Sequence, residues 1–125
     1  MQNSAALAYQ QVGKQTVSPR VLEANLLSRA AAQLQRIRDD WENNNADLFP
    51  ALQFNRQLWN IFLTSVTGEE SRLPRELREN IANLGIFVMK QTLTTQTSPE
   101  ARKLDVLINI NRELAAGLRA QDPTE

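Results

Sequence analysis

Four prolines divide this chain at intervals suited to helices. Pro19, Pro50, Pro74 and Pro99 stand 31, 24 and 25 residues apart, and helical periodicity follows each of them. Proline lacks an amide hydrogen and fixes φ near the helical value, so it is tolerated in the first turn of a helix. The four prolines therefore read as four helix starts.

Ser18-Pro19 has a serine N-cap with proline at the first position. Leu27, Ala30, Leu34, Ile37 and Trp41 then recur at 3-4-3-4, one stripe on one face, before the polar Glu42-Asn43-Asn44-Asn45. A second helix is expected from Asp47 or Pro50. Its stripe is Leu48, Leu52, Asn55, Trp59, Phe62 and Val66, and Thr67-Gly68 is expected to close it with a left-handed glycine. A third begins between Ser71 and Pro74 with Leu77, Ile81, Leu84 and Val88 on one face. It is expected to run out in the Thr/Gln-rich stretch Thr92–Thr97. Ile86 and Phe87 make it apolar on further sides, which suits either a central helix or one that offers a surface to a partner. The fourth repeats the Ser-Pro signal at Ser98-Pro99, with Glu100 complementing the helix dipole and Leu104, Leu107, Asn111, Leu114 and Leu118 as its stripe. Leu7, Ala8 and Val12 around Tyr9 suggest a short amphipathic helix ending at Gly13. No segment alternates in the manner of a strand. The fold class is all-α: one helical domain over residues 1–125, with its core at roughly 5–119, built as an antiparallel bundle of four main helices plus a short N-terminal one.

Composition narrows the chemistry. A chain of 125 residues is long enough to bury a core without a disulfide or metal. It contains no cysteine and no histidine, which excludes thiolate or imidazole zinc sites, cysteine nucleophiles and histidine acid–base catalysis. No cofactor or metal site is expected. Asp39-Asp40 and Glu69-Glu70 are adjacent carboxylates, but adjacent helical residues point about 100° apart, so neither pair forms a shared-proton site. No phosphate loop or dinucleotide fingerprint occurs. The expectation is a non-enzyme.

Fourteen acidic residues balance fourteen basic ones. Arg29, Arg36 and Arg38 share one helix, and Arg72, Arg75 and Arg78 another, but Glu76, Glu79, Asp39 and Asp40 interrupt them. Arg72/Glu76 and Arg75/Glu79 have the i,i+4 spacing of surface pairs. Phosphate binding calls for a concentrated positive stripe, so direct nucleic-acid binding is not expected. No apolar run approaches the ~20 residues that span a bilayer. Met1-Gln2-Asn3-Ser4 lacks the basic start of a secretory signal. A cytoplasmic location is expected.

Two features point to binding. Asn55 and Asn111 interrupt apolar stripes, and each precedes an arginine, Arg56 and Arg112. They act either as a polar lock that fixes helix register or as a cluster that grips a partner's backbone. Trp59 and Phe62 lie on the second stripe, while Phe54 sits about 100° away with Leu58 and Ile61. A helix with two apolar faces buries both, against other helices or against a partner.

Three segments carry a family resemblance. They are Ala8-Tyr9-Gln10 with Ser18-Pro19-Arg20 and Leu22-Glu23-Ala24-Asn25-Leu26-Leu27; Phe54-Asn55-Arg56-Gln57-Leu58-Trp59; and Leu73-Pro74 with Ile108-Asn109-Ile110-Asn111-Arg112. In order and spacing they resemble the FlaF flagellar biosynthesis regulators of alphaproteobacteria over roughly residues 5–119. Gln57 stands where that family often has a second arginine. The resemblance implies a cytoplasmic protein needed for flagellin production and filament assembly. It implies flagellin as a guest bound before export, and FlbT, a regulator of flagellin messenger RNA, as a partner. On that basis the expected mechanism is capture of flagellin's amphipathic terminal helices. The expected groove is lined by Trp59, Phe62, Phe54 and part of the Ile86-Phe87-Val88 face, with Asn55, Arg56, Asn111 and Arg112 holding its shape or bonding the guest. The alternative is an adaptor that works with FlbT and does not hold flagellin stably.

Overall fold

The computed structural model describes residues 18–121. The segment around Tyr9 lies outside them. Helix α1 spans Pro19–Asp39, and its start is the one read from sequence: Ser18 Oγ accepts from the Val21 N–H at 3.2 Å, with proline at the first position. The chain breaks at Asp40, and a one-turn helix α2, Trp41–Asn44, leads into a 3₁₀ turn at Asn45–Asp47. Trp41, expected as the last rung of the α1 stripe, therefore lies past the break and is half-buried.

Helix α3 spans Leu48–Thr67. It begins two residues before Pro50, which takes the third position, where an amide hydrogen would also have no intrahelical acceptor. Gly68 is not left-handed as expected. Its φ of −68° and ψ of 158° are extended backbone, and the Ser71 N–H donates to the Gly68 carbonyl at 3.0 Å. The chain leaves α3 by straightening.

Helix α4 spans Arg75–Thr97, with Pro74 at the N-cap position. It does not fade at Thr92. The hydroxyls of Thr92, Thr95 and Thr97 donate to the carbonyls of Val88, Gln91 and Leu93 at 2.7, 2.8 and 2.8 Å. Thr92 and Thr95 are buried, so packing overrides their weak propensity. Arg72 precedes α4, and of the two anticipated surface pairs only Arg75–Glu79 has helical spacing, at 3.1 Å.

Ser98-Pro99 does not open the last helix. A 3₁₀ turn at Ala101–Lys103 intervenes, and helix α5 spans Leu104–Ala120. Lys103 Nζ donates to the Ser98 carbonyl at 2.6 Å and pairs with Glu100 at 3.1 Å. Glu100 is thus committed to its basic neighbours before α5 begins. The hydrogen bond from Lys103 is the main cause holding its carboxyl below the usual range.

The four long helices run up-down-up-down, and no strand occurs among the described residues. Polar contacts fix their directions. Arg38 donates to Asp105 at 2.8 Å at one end, and Arg119 donates to Asn25 at 2.9 Å near the other, so α1 and α5 are antiparallel and in long contact. Ser65 Oγ donates to Glu23 at 2.9 Å, which puts the end of α3 beside the start of α1. The core takes Leu27, Leu34 and Ile37 from α1; Leu52, Trp59 and Phe62 from α3; Ile81 and Val88 from α4; and Leu104, Leu107 and Ile108 from α5.

Candidate functional site

The two stripe asparagines meet. Trp59 Nε1–H donates to Asn111 Oδ1 at 2.9 Å, and Asn111 Nδ2 donates to Asn55 Oδ1 at 2.7 Å. All three side chains are 0% exposed. The chain of amides joins α3 to α5 through the core and leaves the Asn55 Nδ2 donor without a partner. Phe62 meets Trp59 edge to face, with ring centroids 5.5 Å apart. Of the two readings of the asparagines, the geometry is that of the lock.

Trp59 and Phe62 are enclosed, so no guest reaches them without parting the helices. Phe54 is buried too, and the Arg29 guanidinium lies over its ring, 5.7 Å from the centroid. Arg56 and Arg112 are exposed and take no part in the amide chain. Arg56 lines a polar hollow with Phe49, Gln53, Gln57, Asn60 and Gln96. The structure therefore brings Asn55, Trp59, Phe62 and Asn111 together in the core and leaves Arg56, Arg112 and Phe87 at separate places on the surface.

Among the described residues the exposed large apolar side chains are Phe49 on α3 and Ile86, Phe87 and Leu93 on α4. Ile86, Phe87 and Leu93 are 59%, 42% and 65% exposed, so the further apolar side chains of this helix face outward. On its other flank α4 stands off from α5. Gln91 Nε2 donates to the Lys103 carbonyl at 3.0 Å and ties the two together near one end. Toward the opposite end a groove of about 310 Å³ opens, lined by Leu77, Leu84, Ile110, Leu114, Gly117 and Leu118, with Glu113 as its one charged residue. Glu113 forms no ion pair with another described residue. Sequence reasoning placed Leu77 and Leu84 on a core stripe. Ile81 and Val88 of the same stripe are buried, while Leu77 and Leu84 are half-buried.

Charge is dispersed. Arg36 pairs with Asp47 at 3.2 Å, Arg38 with Asp39 and Asp105, and Arg75 with Glu79. Three of the six arginines in the two groups thus meet carboxylates and Arg29 lies over Phe54, so the groups do not form the concentrated stripe that phosphate binding calls for. Among the described residues the one buried acid is Glu23, which Arg20 and Ser65 contact; burial pushes its carboxyl above the usual range. No cluster of three potential metal ligands occurs among the described residues. No described helix is long and apolar enough to cross a membrane.

No curated protein and no solved structure matches the chain. A family model does, that of the flagellar protein FlaF, over residues 5–118. That span holds the capped start of α1, the Asn55–Trp59–Asn111 lock and both walls of the groove, and with nearly the whole chain matched, this protein belongs to the FlaF family of flagellar proteins.

Proposed function

We propose that this protein is a cytoplasmic, non-enzymatic flagellin-binding chaperone that holds an amphipathic terminal helix of flagellin in the α4/α5 groove. The carrying observation is the groove: five aliphatic side chains and a single unpaired carboxylate between two helices of a flagellar-family protein. A helix laid there covers its apolar face by i/i+3/i+4/i+7 anchors. Capture keeps flagellin from assembling before export. Release on export frees the chaperone, which links filament assembly to flagellin production.

Titration calorimetry against full-length monomeric flagellin, and against flagellin trimmed at each end, tests this. Micromolar or tighter binding that one trimmed end abolishes, and that Leu84→Glu weakens at least tenfold with helicity unchanged, is expected. Unaltered binding by Leu84→Glu removes the groove from the mechanism.

The second reading, an adaptor for FlbT in the control of flagellin messenger RNA, draws on a different observation. Ile86, Phe87 and Leu93 give α4 exposed apolar side chains outside the groove lining. A pull-down of FlbT that Ile86→Asp abolishes and Leu84→Glu spares supports two partners on one helix.

A further inference from the structure

The groove opens at the end of the bundle where the described chain begins. Arg119 bonds Asn25 and Ser28, so the last turn of α5, with Gly117 and Leu118, lies beside the second and third turns of α1. The Ser65–Glu23 bond brings the end of α3 to the same place, and α4 starts seven residues after Gly68, with Leu77 in its first turn. Seventeen residues precede Ser18. Among them Ala5, Ala8, Tyr9 and Val12 fall at i, i+3, i+4 and i+7, the spacing of one apolar helix face. Lys14 is their sole charged side chain, and Glu113 is the sole charged residue of the groove.

We infer that residues 5–12 dock in the α4/α5 groove of their own chain and compete there with the guest helix. The dimensions agree. Eight residues at helical rise cover about 12 Å, and so does the wall from Ile110 to Leu118. Residues 13–17, extended, reach up to about 17 Å, which sets the span over which the segment can return to the groove's open end. Lys14 then stands at the rim near Glu113. A tethered segment acts at an effective concentration of order millimolar, so even weak apolar contact keeps the groove covered until a tighter guest arrives. The competition rests on the reading of the groove as the guest's site, while the docking itself does not.

The chain has no cysteine, so an introduced pair reports proximity without background. Gly117 accepts a side chain freely, since an added Cβ meets nothing within 4 Å. In the full chain, Gln11→Cys with Gly117→Cys should form an intrachain disulfide under mild oxidation at least tenfold faster than Gln11→Cys with Ile86→Cys, whose α4 position is exposed outside the groove. Excess monomeric flagellin should slow it at least fivefold. Equal rates for the two pairs overturn the docking. Disulfides mainly between chains overturn it in favour of a second copy's segment. Fast intrachain closure that flagellin leaves unchanged overturns the competition and locates the guest elsewhere, with the docking intact.

Discussion

Helices α1, α3 and α5 are joined to one another by bonds of definite length, whereas α4 is held almost wholly by apolar contact. Trp59–Asn111–Asn55 fixes α3 to α5, Ser65–Glu23 fixes α3 to α1, and Arg38–Asp105 and Arg119–Asn25 fix α1 to α5. Among the described residues, α4 sends one hydrogen bond to its surroundings, from Gln91 to the Lys103 carbonyl. Its buried threonines bond within their own helix. Apolar contact is non-directional, while a hydrogen bond to a buried partner specifies register. The molecule thus combines a registered three-helix core with a fourth helix held mainly by packing, and the groove and the exposed Ile86, Phe87 and Leu93 involve that fourth helix.

The sharpest way to break the contrast is Trp59→Ala. It empties a large core site and strands the Asn111 acceptor, so a loss of about 3–5 kcal/mol is expected in urea unfolding. Near-native stability would show Trp59 to be a surface anchor after all. Asn111→Ala comes next. It leaves the Trp59 N–H and the Asn55 carbonyl unpaired in the core, at about 1–3 kcal/mol by the same measurement. In α4, Gly85→Ala should be close to neutral. The added Cβ falls 2.6 Å from Leu63 Cδ1, the end of a flexible side chain, and the repacking cost offsets a helix-propensity gain of about 1 kcal/mol. A loss above about 2 kcal/mol would mean that α4 is as rigidly seated as its neighbours. The smallest effect concerns acidity. Burial raises the Glu23 carboxyl above its unfolded value, so the folded state binds more protons between the two values. Stability should fall as pH rises through that window, beginning near the ordinary glutamate range. Glu23→Gln should flatten this slope in pH-dependent thermal melts.

Much of the fold was legible because its signals are local. The cap at Ser18-Pro19 depends on three residues, and the stripes depend on helical geometry alone. The same Ser-Pro pair misled at position 98, because Lys103 draws Ser98 and Glu100 into a 3₁₀ approach, an interaction invisible to a cap rule. The asparagine lock was half-legible. Two polar residues on apolar stripes announced a partnership, but only the crossing of α3 and α5 makes Trp59 their third member. The groove was least legible. Leu77 and Leu84 have the periodicity of core residues, and their exposure follows from how far α4 stands from α5, a distance that no single helix encodes.

The long contact between α1 and α5 also governs how the chain is made. The earliest long helix finds its main partner in the last one, and Asn111 reaches back more than fifty residues to Asn55 and Trp59. At ribosomal rates α1 waits on the order of ten seconds before α5 emerges. Throughout that interval α1 has α3 to pack on, but its α5-facing side stays in water and the amide lock has no second half. The face of α1 that packs on α5 is therefore the last part of the core to close as the chain is made.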